Sequence, residues 1–140
     1  MKIKTAVSDQ DIEICFAVVK QLRPHLTLLG FMEQVRRQIS SERYQLAFLE
    51  SDDQVKAAIG FRVTEFLAWG KVLYIDDLIT DEGSRGQGFG GVLMDWAIKK
   101  AKELGCAQVH LDSGYQRHDA HRLYLNMGLK ISCHHFSREF

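Results

Sequence analysis

The chain has 140 residues, 46% of them apolar and 26% charged, enough to build the core of one domain without cross-links. Eighteen Lys and Arg balance eighteen Asp and Glu, so no uniform basic field marks a nucleic-acid or anionic-membrane binder. A single proline argues against long disorder, no apolar run approaches a membrane span, and the N-terminus lacks a leader's apolar stretch, so the expectation is a cytoplasmic protein with no nucleic-acid or membrane partner.

Residues 2–7 alternate weakly and predict a short strand. Ser8 is placed to cap a helix in which Ile12, Cys15, Phe16, Val19 and Leu22 keep helical spacing, and Pro24 stops it. A second helix follows from Leu28, Phe31, Met32, Val35 and Ile39, with Glu33, Arg36 and Arg37 on its wet side. The period then changes to two. Residues 44–50 and 55–67 read as strands joined by the turn Ser51-Asp52-Asp53, and Gly60 inside the longer one predicts a bulge or a close backbone approach. Residues 71–80 form a third strand carrying the adjacent acids Asp76 and Asp77, and hairpin spacing makes the three an antiparallel meander.

Residues 83–91 are glycine-dense and lead into a helix with Val92, Leu93, Trp96, Ala97, Ala101 and Leu104 on its apolar side, ended by Gly105. Residues 107–112 read as a strand, 118–127 as a helix closed by Gly128, and 129–140 as a final strand or hairpin. The order β-α-α-β-β-β-α-β-α-β is that of a mixed α/β domain spanning residues 1–140, and the strand–helix–strand unit over 71–112 predicts one parallel pair. Cys15, Cys106 and Cys133 are odd in number and far apart, which excludes a disulfide framework or a four-cysteine zinc site and predicts three small buried residues. Trp69 and Trp96 read as core. His118 with His121, and Cys133-His134-His135, lack the convergent spacing of a metal site, so no metal is expected.

The segment Arg85-Gly86-Gln87-Gly88-Phe89-Gly90-Gly91 joins a strand to a helix start. The first turn of a helix leaves N–H groups unpaired and carries partial positive charge, glycines let backbone approach a phosphate, and Arg85 adds a guanidinium. No Lys-Ser or Lys-Thr follows, which speaks against a triphosphate-hydrolysing loop. The pattern G-x-G-x-x-G is present at Gly86, Gly88 and Gly91, but the first glycine lies well past the strand and too little chain follows for a doubly wound sheet. A dinucleotide binder therefore stands as a rival reading.

Residues 75–90 (IDDLITDEGSRGQGFG) closely resemble motif A of the GNAT family of N-acetyltransferases, whose signature [QR]-x-x-G-x-[GA] is met by Arg85, Gly88 and Gly90. Residues 109–128 (VHLDSGYQRHDAHRLYLNMG) resemble motif B, with Tyr124 four residues before Gly128. The order of elements also matches, so the resemblance covers essentially the whole chain. It implies a twisted, mostly antiparallel sheet with one splayed parallel strand pair and about four flanking helices. It implies acetyl-CoA as co-substrate, with its pyrophosphate on Arg85, Gly86, Gln87, Gly88, Phe89 and Gly90 and its pantetheine arm along Leu78, Ile79 and Thr80. The Leu78 N–H would meet the thioester carbonyl and Tyr124 would be the general acid, a phenol being protonated at neutral pH.

The same resemblance makes Asp76, at a bulge that opens the strand pair, the candidate base or amine-binding group. Asp77, which a regular strand would aim at the opposite face, Asp112 and His25 become substrate-binding candidates, the last within the variable segment Arg23–Met32. His134 or His135 would border the acceptor pocket, whereas Arg117 stands where many relatives carry asparagine. Relatives are often homodimers. The expected activity is transfer of acetyl to a primary amine of a small molecule through a ternary complex, since no cysteine is placed as an acyl carrier. An acyl-CoA sensor without turnover, or an enzyme acting on protein or peptide amines, is the alternative.

Overall fold

Ser8 opens the first helix with a reciprocal cap: its hydroxyl accepts the Asp11 N–H at 3.1 Å, and the Asp11 carboxylate accepts the Ser8 N–H at 3.0 Å. The helix, α1 (Asp9–Leu22), ends before Pro24, and Thr27 caps α2 (Leu28–Ser41) by accepting the Gly30 N–H. Ahead of them lies β1 (Lys2–Thr5), and after them come β2 (Tyr44–Ser51), β3 (Gln54–Phe66) and β4 (Gly70–Thr80). The computed structural model describes residues 1–140 and continues with a 3₁₀ turn (Glu82–Ser84), α3 (Phe89–Glu103), β5 (Gln108–Leu111) and α4 (His118–Asn126). No helix is long and apolar enough to cross a membrane.

The strands make one sheet in the order β1-β2-β3-β4-β5. Asp52 and Asp53 both adopt positive φ in the tight β2–β3 turn, and the meander through β4 is antiparallel as expected. The α3 crossover returns β5 parallel to β4. Alternation along the strands divides the sheet between two cores. Leu46, Phe48, Ala58 and Ile79 pack with Ile12, Cys15, Val19, Phe31 and Val35 of α1 and α2. Ala47, Leu49, Ile59, Phe61 and Leu73 pack with Leu93, Met94, Ala97 and Ala101 of α3. Each large side chain so buried contributes roughly 1.5–3 kcal/mol. A one-residue slip would exchange the two sets, so burial on both faces fixes the register.

The β3–β4 ladder breaks once. Pairing runs to Phe61↔Ile75 and resumes at Gly60↔Asp77, which leaves Asp76 without a partner. Gly60 also meets the second expectation placed on it: a Cβ there would lie 1.8 Å from the Tyr44 hydroxyl, because the phenol crosses Gly60 to reach Asp77. The extra residue overturns the regular-strand alternation of the two acids. Both now turn toward the α1 side, where Asp77 meets Arg23 and Tyr44 and Asp76 meets Arg62.

Four expectations need correction. Residues 129–140 form no strand or hairpin. From Lys130 onward they are exposed, Ile131, Phe136 and Phe140 included, and their many polar residues leave too little apolar surface on one face to offset ordering. Trp69 stands outside both cores at the β3–β4 turn, stacked on His110 with ring centroids 4.0 Å apart. Leu104 falls at the exposed cap of α3 instead of on its buried stripe. Of the cysteines only Cys15 is buried; Cys106 is partly so and Cys133 is exposed.

Burial, and secondarily the nearby Asp11 charge, pushes the Cys15 thiol up to about 12. A disulfide reagent should label Cys133 rapidly in the native protein and Cys15 only on unfolding, as peptide mapping would show. Replacing Gly60 with alanine forces the Tyr44 ring to move and should lower unfolding stability in urea by roughly 1–3 kcal/mol.

Candidate active site

The parallel pair holds register only from Val72↔Gln108 to Ile75↔Leu111, whereas β4 runs on against β3 as far as Thr80. Beyond Ile75 the strands part, and the outer edge of residues 76–80 is left unpaired. A cleft of about 450 Å³ opens in the gap, with Leu78, Ile79, Arg85, Asp112, Arg117 and Tyr124 among its walls.

The glycine loop begins at Arg85, on the cleft wall. Gly86 and Gly88 have φ of 80° and 85°, and a Cβ on either would meet nothing within 4 Å, so glycine is required there by backbone conformation and not by crowding. Gly90 is different: its Cβ would come 3.3 Å from the Thr80 hydroxyl, so the loop packs against the end of β4. Phe89 begins α3, and the first intrahelical bond is Val92 N–H to Gly88 C=O. No backbone N–H of residues 85–91 donates to another protein group, and the first turn of α3 holds no acid to oppose an anion. Gln21 anchors the loop. Its amide donates to Asp81 at 2.9 Å and accepts the Glu82 N–H at 2.8 Å, and this bond from Gln21 is the main reason the Asp81 carboxyl is held below its usual range.

The middle of the cleft belongs to Leu78 and Tyr124. The Leu78 carbonyl accepts from Arg117 Nη2 at 3.4 Å across the gap. In a strand the N–H and C=O of one residue point the same way, so the Leu78 N–H also faces the cleft. Tyr124, on α4, is buried; burial pushes its phenol up, and the Arg117 guanidinium beside it pulls in the opposite direction without reversing the shift. The phenol therefore carries its proton at neutral pH.

The acids differ in what they touch. Asp77 is saturated by Arg23, at 2.9 Å, and by the Tyr44 hydroxyl, also at 2.9 Å. Burial and then Asp77 push the Tyr44 phenol well above its usual value, so it stays a donor. Asp76 is gripped through both oxygens by Arg62, whose guanidinium also reaches the Glu42 carbonyl. The candidate base or amine-binding group is thus already paired through both oxygens with one guanidinium. Asp112 has no guanidinium. It meets the Tyr74 hydroxyl, and His135 Nδ1 lies 3.3 Å away.

Leu78, Ile79, Arg85, Asp76, Asp112 and Tyr124 thus share one cleft, whereas Thr80, Gly86, Gln87, Gly88, Phe89 and Gly90 do not line it, although Gly90 packs against Thr80. Asp77 and His25 do not line it. They belong to a second cavity of about 330 Å³ between α1, α2 and the sheet, and Arg23 stands in both. Gln21, Arg62 and Arg117 carry site geometry that sequence reasoning gives no role, because each acts through a contact set only by tertiary packing. The one available signal is the position of Arg117 at the entry to the motif B helix.

The model of the acetyltransferase (GNAT) family matches residues 14–129. The chain is 29% identical over 137 residues to the uncharacterized N-acetyltransferase YhdJ of Bacillus subtilis, covering 97% of this chain and 96% of that one. Over 64 residues, 46% of this chain and 42% of the relative, it is 36% identical to the aminoalkylphosphonate N-acetyltransferase of Salmonella typhimurium. Among solved structures, the aminoglycoside N-acetyltransferase AAC(6')-Iy in complex with CoA superposes with a TM-score of 0.85 at 12% identity, covering 99% of this chain and 93% of that one.

Replacing Gln21 with alanine removes both bonds that hold the loop entrance. Amide exchange at Glu82 should accelerate roughly 5- to 30-fold, corresponding to about 1–2 kcal/mol, with little change at the core strands. Unchanged exchange at Glu82 would show the loop to be held by something else.

Proposed function

The chain belongs to the acetyltransferase (GNAT) family and is an N-acetyltransferase, and from that premise we propose that it transfers acetyl from acetyl-CoA to a primary amine of a small molecule by direct attack in a ternary complex. One observation carries the reading: Arg85, at the start of a loop whose backbone N–H groups have no protein partner, walls the same cleft as Leu78 and the Tyr124 phenol.

The loop amides and Arg85 suit a diphosphate, since oriented N–H dipoles and a guanidinium meet it with no acid in the first turn of α3. The unpaired edge of Leu78, Ile79 and Thr80 suits the amide-bearing pantetheine arm, which would lie along it like an added strand. The Leu78 N–H then stabilises the charge that grows on the thioester oxygen as the amine attacks. Tyr124 gives its proton to the departing thiolate, and Arg117, beside the phenol, stabilises the transient phenolate. No cysteine lines the cleft, which supports direct attack over an acyl-enzyme. Asp112, a cleft carboxylate with no guanidinium on it, suits a cationic amine, and the acceptors in the names of the two relatives, aminoalkylphosphonates and aminoglycosides, belong in the first substrate panel.

Thiol release from acetyl-CoA, followed across polyamines, amino acids, aminoalkylphosphonates, aminoglycosides and peptides, tests the activity. A chain that binds CoA but acetylates nothing in the panel would be a sensor. Tyr124→Phe should lower kcat about 100-fold, the lower range for a general acid, with CoA affinity unchanged within about twofold. Arg85→Ala should instead weaken CoA binding roughly tenfold, as expected for loss of one charge-assisted hydrogen bond, and leave kcat at saturation nearly intact.

A further inference from the structure

We propose that His135, positioned by Asp112 and Tyr74, is the base that takes a proton from the acceptor ammonium. The inference rests on the reading that acetyl transfer to a small amine occurs in the cleft described above. A primary amine is mostly protonated at neutral pH and has no lone pair for attack until that proton leaves. Three acids stand near the gap, and two are committed: Asp77 to Arg23 and Tyr44, Asp76 to Arg62. Asp112 alone faces the cleft without a guanidinium.

What surrounds Asp112 is ordered for a base. The Tyr74 hydroxyl donates to Oδ2, and Nδ1 of His135 lies 3.3 Å from Oδ1. A carboxylate facing Nδ1 favours the tautomer with its proton there, which leaves Nε2 as the ring's acceptor. It also fixes the orientation of the ring. The remaining titratable neighbour is His110, which stacks near the Tyr74 ring and bonds to Gln108, away from the carboxylate. The His135 side chain is 65% exposed and Asp112 is 44% exposed, so a proton taken there passes on to water. His134, next along the tail, has no ion-pair partner.

The step balances. One N–H bond of the ammonium breaks as an N–H bond forms at Nε2, and the freed lone pair bonds the thioester carbonyl carbon. The C–S bond then breaks as Tyr124 gives its proton to sulfur, and the second proton, shed from nitrogen as the amide forms, returns the phenolate to phenol. The imidazolium returns its proton to solvent.

Turnover with ethylamine, which is protonated at pH 7, is to be compared with turnover of trifluoroethylamine, which is largely neutral there, both at saturating acetyl-CoA. His135→Ala should lower the ethylamine rate about 100-fold, within the usual range for a general base. It should lower the trifluoroethylamine rate less than about threefold, because no proton need leave first. Added imidazole should restore much of the ethylamine rate. Asp112→Asn should show the same selectivity in weaker form. Equal losses with both amines, or no loss with either, would overturn the assignment of His135 while leaving acetyl transfer in place. A wild-type enzyme that binds CoA yet acetylates neither amine would overturn the small-amine reading and the base with it.

Discussion

The bulge that leaves Asp76 unpaired opposite Gly60 is the constraint from which the site follows. It changes the direction of β4 just where the parallel pairing with β5 ends, and it turns two consecutive acids to one side. A bend of this kind survives only if the surrounding structure holds it. Asp77 supplies the hold, with Arg23 from the end of α1 on one oxygen and the Tyr44 hydroxyl of β2 on the other. Tyr44 can make that reach only because residue 60 has no side chain. Three elements distant in sequence are tied at one carboxylate, and the gap beside them stays open because β4 is committed elsewhere.

Within the gap, charge is arranged along the direction of transfer. The loop end has oriented amides and Arg85, the middle has a buried phenol beside Arg117, and the far end has Asp76 and Asp112. The guanidiniums on Asp76 and Asp77 keep the far end from accumulating three unpaired carboxylates, which like-charge repulsion would make costly.

Much of this was legible in the sequence, for local reasons. Ser8 and Pro24 bracket α1, the change from helical to alternating spacing marks the meander, and Gly60 inside a strand signals the bulge. The glycine loop was legible because its demand is on backbone conformation, which glycine alone meets at Gly86 and Gly88. Tyr124 and Leu78 came through the family resemblance. Gln21, Arg62 and Arg117 were not legible, since long polar side chains on a helix end or a strand look the same whether they meet solvent or a carbonyl across a cleft. The final segment was misread for a related reason: Leu129, Ile131 and Cys133 alternate as a strand would, but alternation says nothing about whether a partner face exists.

The tail from Lys130 to Phe140 contributes to neither core, and every residue in it is exposed. Its removal by a carboxypeptidase would leave a molecule that melts, migrates and scatters light much like the intact one. Thermal-shift or sizing assays would pass such a clipped preparation as sound, whereas intact-mass spectrometry would reveal that the imidazole beside Asp112 had been lost.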